Sequence, residues 1–117
     1  MEFVVAEDDV WFSAFDVFPQ VEEASDELTV REVRFPVSAT EQLHISWDTI
    51  MRSARIRYRR ASDVVVDVYR EQVTRLTVET HKTGPVIAVD YHAEDCDGRT
   101  RVHVRPAFAL RDTFLRA

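Results

Sequence analysis

Glycine, cysteine and long apolar runs are scarce in this sequence of 117 residues, and each scarcity excludes a class of protein. Two glycines are too few for the glycine-rich loop that cradles a phosphate group, and they leave few positions free to adopt a positive φ. The single cysteine, Cys96, cannot form an internal disulfide bond, which fits a reducing compartment. No stretch approaches the roughly eighteen apolar residues of a membrane-spanning helix.

Lysine and arginine are absent before Arg31, although acidic residues are frequent there. Residues 1–30 carry nine acids and a net charge of −9, whereas residues 31–117 have a net charge of +3 and the whole chain −6. The first ten residues also lack the basic start of a secretory signal, so we expect a cytoplasmic protein without a membrane segment. From the length, the 45% apolar content and the charge asymmetry we expect a single domain over 1–117, in which an acidic N-terminal segment, 1–27, packs on a β-rich body, 28–117.

Alternating apolar and polar residues dominate the body of the chain, which is the pattern of half-buried β-strands. Five such runs follow one another with short joints between them: 54–59, 64–69, 73–80, 86–92 and 99–105. Short joints favour antiparallel neighbours, and the pair Asp97-Gly98 is typical of a hairpin turn. The sequence therefore predicts an α+β fold with a mostly antiparallel sheet of about six strands, a meander over 54–105 and a short N-terminal helix. A small β-barrel is the alternative.

Three stretches of the sequence fit more than one structure. Residues 38–54 fit a helix that begins with a capping box, or a strand at 42–47 followed by a loop, and we favour the strand. The residues after Pro106 fit a helix, since proline suits a first helical turn, or a strand that continues to 110. Within 28–35 the apolar positions change parity, which a β-bulge near Arg31 and Glu32 would explain.

Residues 9–18 are expected to form the N-terminal helix, because their large apolar side chains then group on one wide face. Asp8 or Asp9 would cap the start of this helix, and Pro19 would end it. A helix of this length is marginal alone, so we expect its apolar face to pack on the sheet, with Phe12 partly exposed.

Catalytic and metal-binding patterns are missing from the sequence. Several acids surround Cys96, and they would oppose the thiolate that a cysteine nucleophile needs. The stretch 92–97 contains His, Asp, Glu and Cys, but a structural zinc site needs further Cys or His ligands in paired short spacings. We therefore predict that the protein is not an enzyme and uses no metal or cofactor.

Two charged surfaces remain as candidates for function. The acidic front of the chain offers aromatic anchors and charge that steers a basic partner, from the residues Asp8, Asp9, Trp11, Phe12 and Asp16. Arginines at alternate strand positions would form a ribbon suited to nucleic-acid phosphates, from the residues Arg55, Arg57, Arg59, Arg101 and Arg105.

The sequence thus predicts a non-enzymatic protein-binding module whose acidic surface recognises a basic or mixed-charge protein. In charge, though not in sequence, it is analogous to the acidic inhibitor or immunity-type proteins that neutralise a basic enzyme. The expected partner is another protein, or a second copy of the chain. A sheet-based nucleic-acid binder is the alternative, and the acidic total charge argues against it.

Overall fold

The computed structural model describes residues 2–22 and 29–116, and this part of the chain contains ten β-strands and one α-helix. In chain order the elements are β1 (Val4–Val5), α1 (Asp8–Phe15), β2 (Gln20–Val21), β3 (Val30–Pro36), β4 (Glu41–Asp48), β5 (Ser53–Arg60), β6 (Asp63–Arg70), β7 (Val73–His81), β8 (Gly84–Ala93), β9 (Cys96–His103) and β10 (Ala109–Arg116). No helix in the described ranges is long and apolar enough to cross a membrane.

The strands form two five-stranded sheets. Sheet I has the order β1-β7-β8-β9-β10, and sheet II has the order β2-β3-β4-β5-β6. Neighbouring strands are antiparallel, except that β1 pairs in parallel with β7. This confirms the predicted fold class, a mostly antiparallel α+β fold with meander connections and a short N-terminal helix. The strands of 54–105 are divided between both sheets, and no strand pairing within the described residues closes them into the alternative barrel.

The chain crosses from sheet II to sheet I between β6 and β7, at a joint that looks in sequence like one more hairpin. The backbone N–H of Val73 donates to the carbonyl of Arg52 at 2.9 Å, and the backbone N–H of His92 donates to the carbonyl of Gln72 at 3.0 Å. These bonds fix the joint against the β4–β5 turn and against β8, so two residues are enough to link the sheets.

The hydrophobic core lies between the two sheets. Ala54, Ile56 and Tyr58 of β5 face it from sheet II, as their alternation predicts, and Ile87 and Val89 of β8 face it from sheet I. Burying one such large apolar side chain contributes roughly 1.5–3 kcal/mol, so this shared layer is what holds the sheets together.

Helix α1 begins at Asp8, one residue before the predicted start. Its N-cap is Glu7, whose side chain makes no capping hydrogen bond, so the prediction that Asp8 or Asp9 caps the helix is wrong. Both aspartates instead lie in the first turn, where negative charge interacts favourably with the helix dipole.

Helix α1 ends at Phe15, three residues before the predicted end. Asp16 adopts the left-handed conformation, with a φ of 60°, and donates its backbone N–H to the carbonyl of Phe12 at 2.8 Å. Asp tolerates this conformation better than most residues. The helix therefore stops before Pro19 can end it, and the prediction of a proline stop is wrong.

Two of the ambiguous stretches are strands. Residues 42–47 lie within β4, as favoured, and Asp48 then closes the turn through Oδ1, which accepts hydrogen bonds from the backbone N–H groups of Ile50 (2.9 Å) and Met51 (3.1 Å). After Pro106 the chain forms a separate strand, β10, which pairs with β9 from Ala109 to Arg116, so both the C-terminal helix and a strand that continues to 110 are wrong. A helix there would leave the backbone of β9 without this partner strand.

Strand β3 is regular, so the predicted bulge near Arg31 and Glu32 is wrong. Its register with β4 runs without a shift from the Val30–Asp48 pair to the Pro36–Gln42 pair. Val33 and Phe35 face the core, whereas Val30 lies on the opposite face of the strand. The other residue of the predicted pattern, Leu28, lies outside the described residues.

The hairpin between β8 and β9 does not turn at Asp97-Gly98, as the sequence predicts. Ala93 pairs with Cys96, so the two-residue turn lies at 94–95, and Gly98 lies within β9 opposite Tyr91. A Cβ atom on Gly98 would lie 2.3 Å from Cζ of Tyr91. The glycine is therefore required for the close approach of the Tyr91 ring and not for a turn.

Candidate functional site

The early end of α1 places two aromatic side chains side by side on the surface. Because Asp16 reverses the chain after Phe15, Phe18 returns beside Phe12, and their rings stack with centroids 4.5 Å apart and planes 14° from parallel. Phe12 is 44% exposed and Phe18 is 54% exposed. Single exposed aromatics are common on protein surfaces, but a stacked exposed pair is a preformed apolar anchor for a partner.

Acidic side chains surround this aromatic pair. Asp8, Asp9 and Asp16 are exposed, and neither Asp9 nor Asp16 forms an ion pair with any residue of the described ranges. Asp8 lies 3.7 Å from a guanidinium nitrogen of Arg31 but remains largely exposed, so this pair leaves its charge accessible. We call Asp8, Asp9, Phe12, Asp16 and Phe18 the front patch.

Trp11, which the sequence places among the partner-binding residues, lies in the core. Its side chain is completely buried and stacks on Trp47 with ring centroids 5.4 Å apart. It also contacts the ring of Phe15, at 6.1 Å between centroids. The other four candidates are all exposed: Asp8, Asp9 and Phe12 lie on α1, where a spacing of three and four residues places them on one side, and Asp16 lies at its C-cap.

A pocket of about 440 Å³ opens beside Phe18, between the end of α1 and the outer face of sheet II. Its lining consists of Asp16, Val17, Phe18, Gln20, Glu32 and Arg34. The pocket therefore continues the front patch into a concave, partly acidic surface.

Glu32, which lines this pocket, is contacted by the side chains of His44 and Arg34. Glu32 is buried and accepts a hydrogen bond from Nε2 of His44 at 2.8 Å, while the guanidinium of Arg34 lies 3.3 Å from both carboxylate oxygens. Burial lowers the pKa of His44, and this effect outweighs the hydrogen bond to Glu32, which raises it. The imidazole is thus held mostly neutral at pH 7, and it orients Glu32.

Glu22, Glu32 and His44 bring potential metal-ligand atoms within 4.8 Å of one another. Carboxylate oxygens and an imidazole nitrogen are suitable ligands for a divalent cation. The guanidinium of Arg34 on Glu32 and the positive charge of Arg57, which acts on His44, both oppose a cation at this place. We therefore assign these side chains to a polar network rather than to a metal centre.

The five arginines of the predicted ribbon do not form one surface. Arg55, Arg57 and Arg59 belong to β5 in sheet II, whereas Arg101 lies in β9 of sheet I and Arg105 follows that strand. The alternation of both strands places these side chains on outer faces that lie on opposite sides of the core.

Two of these arginines are already bound to carboxylates. Arg55 forms two hydrogen bonds to Asp67, at 2.8 and 2.6 Å, which raise the pKa of Arg55 and lower the pKa of Asp67. Arg101 donates to Glu79 at 3.0 Å; burial raises the pKa of that carboxyl, but the hydrogen bonds from Arg101 and His81 together outweigh this effect and lower it. Paired guanidinium groups are less available for phosphate contacts than free ones.

A second pocket, of about 460 Å³, lies on the outer face of sheet I. Across its floor Arg99 binds Asp90 at 2.5 and 3.2 Å, and His92 lies 2.5 Å from Asp97. Both are cross-strand contacts between β8 and β9, and the ion pair of Arg99 with Asp90 stabilises this hairpin.

Comparison with known proteins gives a match in structure but none in sequence. No protein-family model matches the chain, and no curated protein matches it.

A solved structure shares the fold. It is a chain from the "Contact-dependent growth inhibition toxin - immunity protein complex from Klebsiella pneumoniae 342", with a TM-score of 0.80 and 10% sequence identity. The alignment covers 98% of the present chain and 100% of the other. At this identity the match shows a common fold, and the two-sheet arrangement is therefore one that another protein also adopts.

Sequence reasoning missed Phe18, Glu32 and His44 as parts of the site. Phe18 was assigned to the buried side of a longer helix, so its return to the surface beside Phe12 was not foreseen. Glu32 and His44 alternate with the core residues of β3 and β4, and this alternation is the one signal for them in the sequence. It indicates an outward side chain, but it does not reveal which polar residues meet across the strands.

Proposed function

We propose that this chain is a non-enzymatic protein-binding module that binds a basic or mixed-charge protein through the front patch. The observation that carries the proposal is the exposed stack of Phe12 and Phe18, near the carboxylates of Asp9 and Asp16, which have no ion-pair partner in the described part of the chain. Aromatic side chains fill pockets on a partner and supply binding energy, whereas the acids steer a basic partner and disfavour an acidic one.

The shared fold supports a protein as the partner. A chain with the same two-sheet arrangement comes from a complex of a toxin with its immunity protein. We propose the corresponding role of an inhibitor or immunity protein for the present chain, because its front patch has the charge that would complement a basic toxin. In this role the module would act by covering a surface of its partner, and it would need no catalytic group.

The charge distribution favours protein over nucleic acid as the partner. A nucleic-acid surface requires free basic groups on one face, often with aromatics for base stacking. Here Arg55 and Arg101 are bound to carboxylates on separate sheets. The exposed stacked aromatics instead lie among acids, which would repel phosphates.

The test is affinity capture from a native lysate of the source organism on the immobilised protein. We expect the wild type to retain a basic protein, and a Phe12→Ser/Phe18→Ser variant to lose it because the apolar anchor is gone. An Asp8→Asn/Asp9→Asn/Asp16→Asn variant should retain less of it, and salt above about 150 mM should weaken retention, because the exposed charges are then screened.

The matched control is Ile50→Ser/Met51→Ser, which removes two exposed apolar side chains from the turn between β4 and β5. It should capture the same protein as the wild type. If both front-patch variants retain the same proteins as the wild type, the proposal is wrong. Salt-dependent binding of DNA or RNA oligonucleotides at about 50 mM salt would instead favour the nucleic-acid alternative.

A further inference from the structure

The pocket beside Phe18 combines three features that suit one kind of side chain. One wall is the exposed ring of Phe18, at the edge of the front patch. Asp16 and Glu32 both line the pocket, and Asp16 has no ion-pair partner in the described ranges. The amide of Gln20, which is paired across the strands with Glu32, adds a neutral acceptor.

Glu32 is a preorganised acceptor because the hydrogen bond from His44 fixes the position of its carboxylate. Its side chain is only 9% exposed and is held by His44 at 2.8 Å, so it cannot turn away from the pocket without breaking a buried hydrogen bond. A carboxylate that is already oriented loses little conformational entropy when it binds a ligand.

The chain already places a guanidinium on this carboxylate. Arg34 approaches both oxygens of Glu32 at 3.3 Å, which is longer than the 2.7–2.9 Å typical of strong charge-assisted bonds. Its side chain is 48% exposed, so it can move into solvent without a large loss of packing. Arg34 thus shows which chemical group fits here, and its loose contact leaves room for a competitor.

We propose that this pocket binds the guanidinium of an arginine side chain, which the basic partner inserts between Asp16 and Glu32 and against the ring of Phe18, displacing Arg34. The proposal rests on the proposed function in taking the arginine to belong to a protein partner. It adds to that function a residue type on the partner and a specificity-determining pocket on this chain.

Arginine fits this pocket better than lysine for geometric reasons. Its planar guanidinium can stack on an aromatic ring and donate in two directions at once to carboxylates. An ammonium group is a compact and strongly hydrated charge that donates without a planar match, so the stacking against Phe18 would be lost.

The experiment is a titration of the intact protein with N-acetyl-arginine amide, followed by the backbone amide resonances of residues 16–20 and 32–34 in NMR spectra. We expect saturable shifts in the millimolar range, weaker shifts with N-acetyl-lysine amide and none with N-acetyl-citrulline amide, which is isosteric with arginine but uncharged. Asp16→Asn should weaken binding roughly tenfold through the loss of a charge-assisted bond.

Arg34→Met provides a test in the opposite direction. Removal of the competing guanidinium should tighten the binding of N-acetyl-arginine amide several-fold, an outcome that a damaged fold would not produce. Glu71→Gln is the matched control, since it removes an exposed carboxylate in the turn between β6 and β7, and it should leave the titration unchanged.

Equal shifts with the citrulline compound, or an unchanged affinity in both Asp16→Asn and Arg34→Met, would overturn the pocket assignment. The two proposals can fail separately. Capture of a protein through Phe12 and Phe18 without arginine-amide binding would leave the protein-binding function and remove the pocket. Arginine-amide binding with no captured protein would leave the pocket and remove that function.

Discussion

His44 and Glu32 form a buried polar pair on the face of sheet II that points away from the core. Their contact is 2.8 Å long, and both side chains are more than nine-tenths buried. A buried polar pair of this kind is stabilising only while both groups remain bonded, because an unpaired buried group costs about 1–3 kcal/mol. The pair thus joins β3 to β4 through their side chains on the outer face of sheet II.

Stability should fall in mildly acidic solution because of His44. Burial lowers the pKa of His44 below its ordinary 6.5, so the unfolded chain binds this proton at a higher pH than the folded chain does. The resulting contribution is fully present above about pH 6.5 and is lost as pH falls toward the lowered value, by at most about 1.4 kcal/mol per pH unit.

The measurement is urea unfolding of the wild type and of His44→Gln between pH 7.5 and 5.5. We expect the difference in the free energy of unfolding between wild type and variant to shrink as the pH falls. The comparison with the variant removes the contributions of His81, His92 and His103, which are common to both proteins. A difference that stays constant, or grows toward pH 5.5, would contradict the account of His44.

At the residue scale, the sequence predicts which positions alternate but not what lies opposite them. The inward positions Ala54, Ile56 and Tyr58 are as expected, since alternation alone determines them. The contact of Tyr91 with Gly98, in contrast, depends on the register of two strands. Because the sequence does not show this register, Gly98 is predicted from its Asp-Gly pair to be a turn residue.

Helix α1 is held to the protein by Trp11 and, to a lesser extent, by Phe15, whose ring stacks on Phe35 with centroids 4.4 Å apart. Trp11 is completely buried between the sheets and stacks on Trp47, whereas its neighbour Phe12 lies on the exposed side. An eight-residue helix is unstable alone, so this packing, in which Trp11 is the one fully buried side chain of the helix, positions the front patch.

Substitutions of Trp11 and Phe12 should therefore have very different effects on the free energy of unfolding. Trp11→Ala should lower the free energy of unfolding by about 3–5 kcal/mol, because it leaves a large cavity in the core. Phe12→Ala should change it by less than about 1 kcal/mol, since the ring is half exposed. Chemical denaturation of both variants checks this, and equal losses would show that Trp11 is not the anchor.

At the element scale, the existence of the strands and of the helix was predictable, but their ends were less so. The helix was extended to Phe18 because Val17 and Phe18 continue its apolar face in sequence. The actual end depends on the left-handed conformation of Asp16, for which aspartate is only a weak signal. The C-terminal strand was ambiguous for a similar reason, since Pro106 suits a helix start as well as a strand entry.

At the scale of the whole molecule, the sequence predicts many antiparallel strands but not their division into two sheets. A period of two residues indicates which side chains face inward, but it does not indicate which strand pairs with which. The joint after Arg70 resembles the other short turns, yet it links sheet II to sheet I. The side chain of Arg70 donates a hydrogen bond to Asp112 at 2.7 Å, and this contact joins β6, the edge strand of sheet II, to β10, the edge strand of sheet I.

The same two-sheet arrangement divides the arginines of the predicted ribbon between two separate faces. Several arginines of the outer faces are paired with carboxylates in their own sheet, as Arg55 is with Asp67 and Arg99 is with Asp90. Asp9 and Asp16, which form no ion pair within residues 2–22 and 29–116, remain as exposed acids near Phe12 and Phe18, and this is why we assign recognition to the front patch.

Hydrogen exchange of the free protein and of the protein bound to its captured partner tests this assignment most directly. We predict that binding slows amide exchange in residues 8–20, which carry the front patch, while the turn at 49–52 exchanges at an unchanged rate. Slowed exchange confined to the outer strands of sheet I or to 49–52, with no change in 8–20, would contradict the central claim.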